Sequence, residues 1–383
     1  MKKSFVIAGM GLASLHTPAQ SSADATGFPD GQFRAGVRIH TALESDRERW
    51  DDYVFAHPLG GPYHLFAWKR AVERAYYHEC PYLMAEDWQG VIRGVFPLVL
   101  MKPPLLRPVL VSLPFCDYGG VLSDGPEAAR ELVSSALELA GSHRAEPDIR
   151  CRIEEPVLGE SPLFAVSNFK VRMVFDLPDS AEELWNGFKS KLRSQIRTPG
   201  NEGMEFKIGS LELLDDFYNV FRRTMKDLGS PVHAKRWFEC VLETYGRQAR
   251  IGMVYRGGTP VAGGVLLECR STLTVPWASA LREYNHLSPN MLLYWGFLEH
   301  ACTGGFKLFD LGRSTPDEGT YRFKQQWGAR PEPLFWYSPS GRREEPAPAS
   351  KNGARKLAEK AWSRLPQTVA DTLGPKVRKF ISL

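Results

Sequence analysis

The residues best suited to chemistry gather late in the chain, in GFKLFDLGRSTPDEGTYRFKQQWGARPEPLFWY from Gly305 to Tyr337. Arg313 and Ser314 are expected on a loop leaving a short apolar strand, with Arg322 and Lys324 on the helical turn after it. A guanidinium offers a planar fork and an ammonium a point charge. Together with a hydroxyl, in an apolar neighbourhood, they make an anion-binding corner. A second group lies in KSKLRSQIR, where Lys189, Arg193 and Arg197 recur every four residues. Such a row is either a phosphate-contacting ridge at a cleft edge or a solvated face. A third is SLPFCDYGG, which puts Asp117 and Tyr118 on a loop leaving a strand; Gly119 and Gly120 there permit close backbone approach. Asp117 could take a proton from an amine nucleophile or simply cap a turn. No Ser-His-Asp, HExxH or Walker pattern occurs. The six cysteines are scattered without a CxxC, which predicts buried free thiols and no metal set.

The elements that must position these groups follow from periodicity. Phe306, Leu308 and Phe309 between glycines predict a buried strand, and Asp310 to Gly319 a loop. Thr320 to Trp327 has helical spacing, with Phe323 and Trp327 on one inward face. Gly328, Pro331 and Pro333 stop it, and Pro333 to Tyr337 reads as a closing strand. Upstream, the order of strand, helices, three strands, helix, strand occurs twice. In the first run the hairpin turns at Asp87-Trp88-Gln89-Gly90, and in the second at Arg256-Gly257-Gly258-Thr259. Residues 180–197 predict one helix opened by a capping box, Ser180 with Glu183. Another helix is expected from Ser288, capped there, with Pro289 at its first position.

The chain has 383 residues, 43% hydrophobic and 24% charged, which suits a globular protein of two domains. No run of apolar residues is long enough to span a bilayer. Residues 1–35 combine Lys2, Lys3 and a short diluted apolar run, so they are either a disordered leader or a weak signal-like segment. Basicity is local. Residues 351–383 hold eight Lys and Arg against Glu359 and Asp371, a net +6, while the rest sums to about −2. A polar linker and a basic amphipathic helical tail are expected over 341–383. Leu357, Trp362 and Leu365, then Val369, Leu373, Val377 and Phe380, form its apolar stripe. The tail could pack on its own domain, meet tRNA phosphates, or lie on an anionic membrane through 354–383.

The combination of FDLGRS, a Gly-Thr loop, YRFKQQWG and the PEPLF strand, with SLPFCDYGG, KSKLRSQIR and DLGSPVHAKRWF upstream, resembles the FemAB-like proteins. The subgroup it most resembles is the one associated with PEP-CTERM/exosortase exopolysaccharide systems. The resemblance spans about Trp50 to Tyr337. It implies an α/β fold of mixed sheets, two tandem GNAT-like acyltransferase domains, here over 36–168 and 169–340. It implies an N-acyl or aminoacyltransferase of the cytoplasm that forms an amide on a nucleotide- or lipid-linked sugar precursor of the cell envelope. Lys324, in its FK context, would contact the phosphates of that acceptor. No bound cofactor is implied. The co-substrate would be aminoacyl-tRNA or acyl-CoA. A Gly-rich phosphate loop normally opens the helix after the third long strand in CoA-dependent GNATs. Here that loop, Leu281 to Asn290, has no glycine, which favours aminoacyl-tRNA. A non-catalytic membrane-surface scaffold is the remaining alternative.

Overall fold

The computed structural model describes residues 36–340 and 353–383. The expected leader and most of the expected linker lie outside them. The first half runs β1 (Val37–Thr41), α1 (Arg47–Ala56), α2 (Phe66–Tyr76), β2 (Leu83–Asp87), β3 (Ile92–Phe96), β4 (Val99–Met101), β5 (Val109–Ser112), β6 (Leu122–Ser123), α3 (Pro126–Ser142), β7 (Glu146–Cys151), α4 (Pro156–Gly159) and β8 (Phe164–Ser167). The second runs β9 (Val171–Asp176), α5 (Ala181–Gly187), α6 (Ser190–Asn201), β10 (Met204–Gly209), α7 (Leu214–Asp227), α8 (Lys235–Tyr245), β11 (Ala249–Arg256), β12 (Thr259–Cys269), β13 (Thr272–Ala280), α9 (Pro289–Thr303), β14 (Leu308–Ser314), α10 (Gly319–Gln325), β15 (Arg330–Pro333) and β16 (Phe335–Pro339). The tail adds α11 (Gly353–Ser363) and α12 (Gln367–Arg378).

In each half an antiparallel meander leads through a helix to one parallel strand. The parallel pairs are β5 with β7 and β13 with β14. A helix crossover is what a parallel pair requires, because a tight turn cannot join two strands running the same way. The sheets are β1-β2-β3-β6, β4-β5-β7-β16-β8 and β10-β11-β12-β13-β14-β9-β15. The expected single closing strand is in fact two. Leu334, 1% exposed, sits between them. β15 pairs with β9 in the second unit, and β16 crosses back to lie between β7 and β8 of the first. The second unit therefore does not hold all of 169–340, since 335–339 belong to the first unit's sheet. Trp336 and Tyr337 close that sheet against Arg150 and Ile149. No sequence period marks such an exchange of edge strands.

Three further local expectations change. Residues 180–197 form two helices, because Lys189 is extended (φ −60°, ψ 146°) and breaks the run. Ser180 accepts from the Glu183 N–H, as expected. Ser288 is left-handed at φ 57° and makes no side-chain cap; Pro289 still opens α9. All six cysteines are buried and free.

The tail is packed against the body. Asp371 bonds Arg222 of α7 at 2.6 Å, and the Phe115 N–H donates to the Ser382 carbonyl at 2.7 Å. A Cβ on Gly374 would meet Val232 at 3.0 Å, so α12 approaches its neighbour through a glycine. The packed face is Ala370, Asp371 and Gly374. The apolar stripe of the tail is split: Leu357, Val369, Leu373 and Val377 are exposed, while Trp362, Leu365 and Phe380 are half-buried. None of the described helices is long and apolar enough to cross a membrane.

Candidate functional site

The loop 113–121 of the first unit meets β14 of the second, and the residues of interest converge there. β14 extends through Arg313 and Ser314, so both lie on the strand itself and not on the loop beyond it. Gly312, at φ 76°, and a register shift between Asp310 and Arg313 bend the strand at this point. Asp117 reaches across from the first unit: its Oδ2 accepts from the Arg313 N–H at 3.1 Å, and its Oδ1 is 3.5 Å from Arg313 Nε. Trp336 Nε1 donates to the Asp117 carbonyl at 3.1 Å, and the Arg313 guanidinium lies 5.2 Å from the Trp336 ring.

Lys324 is buried, at 7% exposure. Its Nζ donates to the carbonyls of Gly312 at 3.0 Å and Arg313 at 2.8 Å. Burial disfavours the ammonium and brings its pKa down to about 8, partly offset by Asp117 and Asp310. Two of its three N–H groups serve the strand, which leaves one for a ligand. Ser314 is buried beside it, with its hydroxyl unpartnered among the described residues.

Behind this corner lies a buried pair that the sequence reading did not single out. Arg172 Nε is 3.2 Å from Asp310 Oδ2, with both side chains almost fully buried. The Arg172 guanidinium is 5.9 Å from the Tyr118 ring. Tyr118 itself is 2% exposed and packs edge-on against Tyr63 at 5.0 Å. Burial pushes its hydroxyl well above the usual tyrosine range. The signal was available: Arg172 and Asp310 each sit inside an apolar run, VRMVF and LFDLG.

The α6 row does not join this corner. Lys189 and Arg197 are exposed and Arg193 half-buried. Lys189 lines a separate cleft of about 660 Å³ floored by Phe188, Leu192 and Trp327. Trp327 is 2% exposed and edge-on to Phe188 at 5.6 Å, so it is core that also floors the cleft.

The loop entering α9 forms a 3₁₀ turn over Arg282–Leu287 and holds no glycine. The corresponding junction of the first unit, Asp117 to Gly125 before α3, holds Gly119, Gly120 and Gly125. At this junction, glycines precede the helix in the first unit and not in the second. Among the described residues no group of three or more His, Cys, Asp or Glu is placed to hold a metal.

A family model described as an Acetyltransferase (GNAT) domain matches residues 186–325, under half of the chain. No curated protein matches the sequence. Among solved structures, FemX is similar at 17% identity and TM-score 0.62, covering 78% of this chain and 96% of its own. The C-terminal domain of a putative lysylphosphatidylglycerol synthetase from Agrobacterium fabrum aligns at 13% identity and TM-score 0.53, covering 83% and 95%. A tandem GNAT protein from the clavulanic acid biosynthesis pathway aligns at 12% and 0.51, covering 80% and 100%. At these identities the likeness speaks for the fold, and it agrees with the element order of both units. The chain has the fold of FemX and of tandem GNAT proteins, two GNAT acyltransferase-type units, and the match to the acetyltransferase (GNAT) domain model falls in the second.

Proposed function

We propose that the protein joins an acyl or aminoacyl group to an amine of a cell-envelope or exopolysaccharide precursor, on the cytoplasmic side, as in the PEP-CTERM-associated subgroup it resembles. The observation that carries this reading is Lys324. It is a buried ammonium with one uncommitted N–H, placed beside Arg313 where two GNAT-type units meet. The amine of the acceptor attacks the donor carbonyl. The C–O bond of an aminoacyl ester breaks, and the departing hydroxyl takes up the proton lost by the amine. Lys324 and Arg313 hold the phosphates of a nucleotide- or lipid-linked sugar, and the chain contributes position and charge without a covalent intermediate. Asp117 holds Arg313 in place through both oxygens, and Tyr118 and Ser314 shape the walls. Aminoacyl-tRNA is the donor that fits the glycine-free entry to α9.

One observation favours a second reading, acyl-CoA with a thioester C–S bond broken instead: the glycine-bearing junction before α3 resembles a phosphate loop. Thermal unfolding of the full chain with UDP-N-acetylglucosamine, charged tRNA, uncharged tRNA and acetyl-CoA separates these. The nucleotide sugar and charged tRNA should raise the melting temperature, and Lys324→Met should erase the nucleotide-sugar effect. Stabilisation by acetyl-CoA but not charged tRNA would move the donor to CoA. No stabilisation by any of them would defeat the transferase reading.

The exposed Leu357, Val369, Leu373 and Val377 beside Lys360, Arg364 and Lys376 suit reversible contact with an anionic membrane. Each basic residue adds about 1 kcal/mol near such a surface. Co-sedimentation with phosphatidylglycerol vesicles at low salt, lost in Leu373→Glu, tests this; equal pelleting of wild type and variant, or none, removes it.

A further inference from the structure

We infer that the first unit carries a pocket for a small zwitterion, a molecule bearing both a carboxylate and an ammonium, such as a free α-amino acid. A cavity of about 260 Å³ opens between the loop 120–123 and the chain leaving β7. At about 30 Å³ per water it has room for roughly nine water volumes, enough for a molecule the size of an amino acid. Its Arg152 and the buried Arg172 behind the Asp117–Arg313–Lys324 corner lie 5.5 Å and 5.9 Å from the same Tyr118 ring, and the assignment does not depend on the transferase reading.

Three side chains give the cavity its chemistry. Arg152 is held rigidly: Nη1 donates to the Leu59 carbonyl at 3.2 Å, and its guanidinium lies 5.5 Å from the Tyr118 ring. It has no carboxylate within ion-pair distance among the described residues. Glu155 lines the same cavity. One of its oxygens accepts from the Val157 N–H at 3.4 Å, and no cation stands against it among the described residues. Burial raises its carboxyl above the ordinary range. Two opposite charges that could neutralise each other are thus held apart across one small space. Unpaired charge in a partly desolvated site is unfavourable, and a ligand with the reverse arrangement of charges would relieve both ends at once.

The third is His64, 2% exposed and also lining the cavity. Burial, with Arg152 nearby, brings its pKa down to about 3, so the ring is neutral. Nε2 faces the Gly120 carbonyl at 3.2 Å and must carry the proton. Nδ1 is then a bare acceptor, and it has no partner among the described residues. It can take an N–H from an ammonium that Glu155 also holds, while Arg152 holds the carboxylate. The cavity wall at Gly120 admits no side chain, because a Cβ there would lie 2.4 Å from Cys151 Sγ.

Saturation-transfer NMR on the full chain tests the assignment. The probes are the standard L-amino acids, with propionate and ethylamine as half-ligands. At least one amino acid should bind saturably, and each half-ligand should bind at least about tenfold more weakly. Arg152→Gln and Glu155→Gln should each weaken amino-acid binding by about tenfold while the cooperative thermal unfolding of the chain is kept. If Arg152→Gln does not fold, Glu155→Gln, on a half-buried cap residue, decides alone. The assignment is overturned if no amino acid saturates below concentrations on the order of 10 mM, if propionate binds as well as the amino acids, or if Glu155→Gln changes nothing.

Discussion

Two sets of cations look alike in the sequence and live in opposite surroundings. At the seam between the units, Arg172 and Lys324 are buried and committed, Arg172 to Asp310 and Lys324 to two carbonyls. On α6 and at its N-cap, Arg197 and Lys189 are exposed, with Arg197 resting 5.0 Å from the Trp185 ring. A buried charge is expensive to desolvate and is tolerated only when its partners are fixed; an exposed one is screened and weakly coupled to the fold. Substitutions at the seam should therefore register first as stability, and substitutions on α6 only as binding.

The largest effect is expected from Arg172→Met. It leaves Asp310 buried without its partner and should cost about 3–5 kcal/mol in chemical denaturation. Removing both charges, as Arg172→Met with Asp310→Leu, should recover most of that loss. A single-variant cost no greater than that of a surface pair would mean that water reaches the seam, and the contrast with α6 would collapse.

Lys324 gives a pH test of the same contrast. Its folded pKa, about 8, lies below the 10.5 of the unfolded chain. Between these values the unfolded state binds more protons, so stability attributable to this residue rises as pH rises from about 8 to 10.5. Below pH 8 the cost of burying the charge is present in full. The shift corresponds to about 3 kcal/mol. Wild type should gain roughly that much on Lys324→Met across the window. A constant difference between the two would show that the ammonium is solvated.

A smaller loss is expected from truncation after Ser340. α12 packs through Ala370 and Gly374, bonds Arg222, and sends the Ser382 carbonyl to the Phe115 N–H. Removing these contacts should cost on the order of 2 kcal/mol, read as a lower melting temperature. An unchanged melting temperature would make the tail an appendage like the α6 row.

The contrast also explains how far the sequence could be read. Element order was legible because periodicity and turn residues are local: the two hairpins, the capped α5 and the helix after Pro289 all formed. Arg313 and Lys324 were legible as one corner, because charges and glycines cluster along one stretch of chain; that Asp117 of the first unit joins them was not. The depth of Lys324 was not, since a lysine after a phenylalanine on a short helix reads the same on the surface as inside. Nor was the return of β16 to the first sheet, because pairing partners so far apart in the chain, such as Tyr337 with Ile149, leave no local trace. Arg152, Glu155 and His64 were passed over for the same reason: they are scattered in sequence and meet only in the fold.

The smallest stability effect, and the sharpest test of the other side, belongs to the α6 row. Replacing Lys189, Arg193 and Arg197 together by Gln should leave stability within about 0.5 kcal/mol, the usual range for surface substitutions. The Arg197–Trp185 contact, worth about 0.5 kcal/mol at an exposed site, is part of that range. Binding should change instead. Lys189 stands at the rim of the wide cleft over Phe188 and Trp327, and no carboxylate among the described residues lies within ion-pair distance of the three cations. If the row meets tRNA phosphates, each lost contact removes about 0.7 from the slope of log affinity against log salt, so the triple variant should lose about 2. Titration of charged tRNA at several salt concentrations measures this. An unchanged slope makes the row a solvated face. A large fall in melting temperature would mean that these cations hold the fold as the seam cations do, and the distinction between the two regions would be lost.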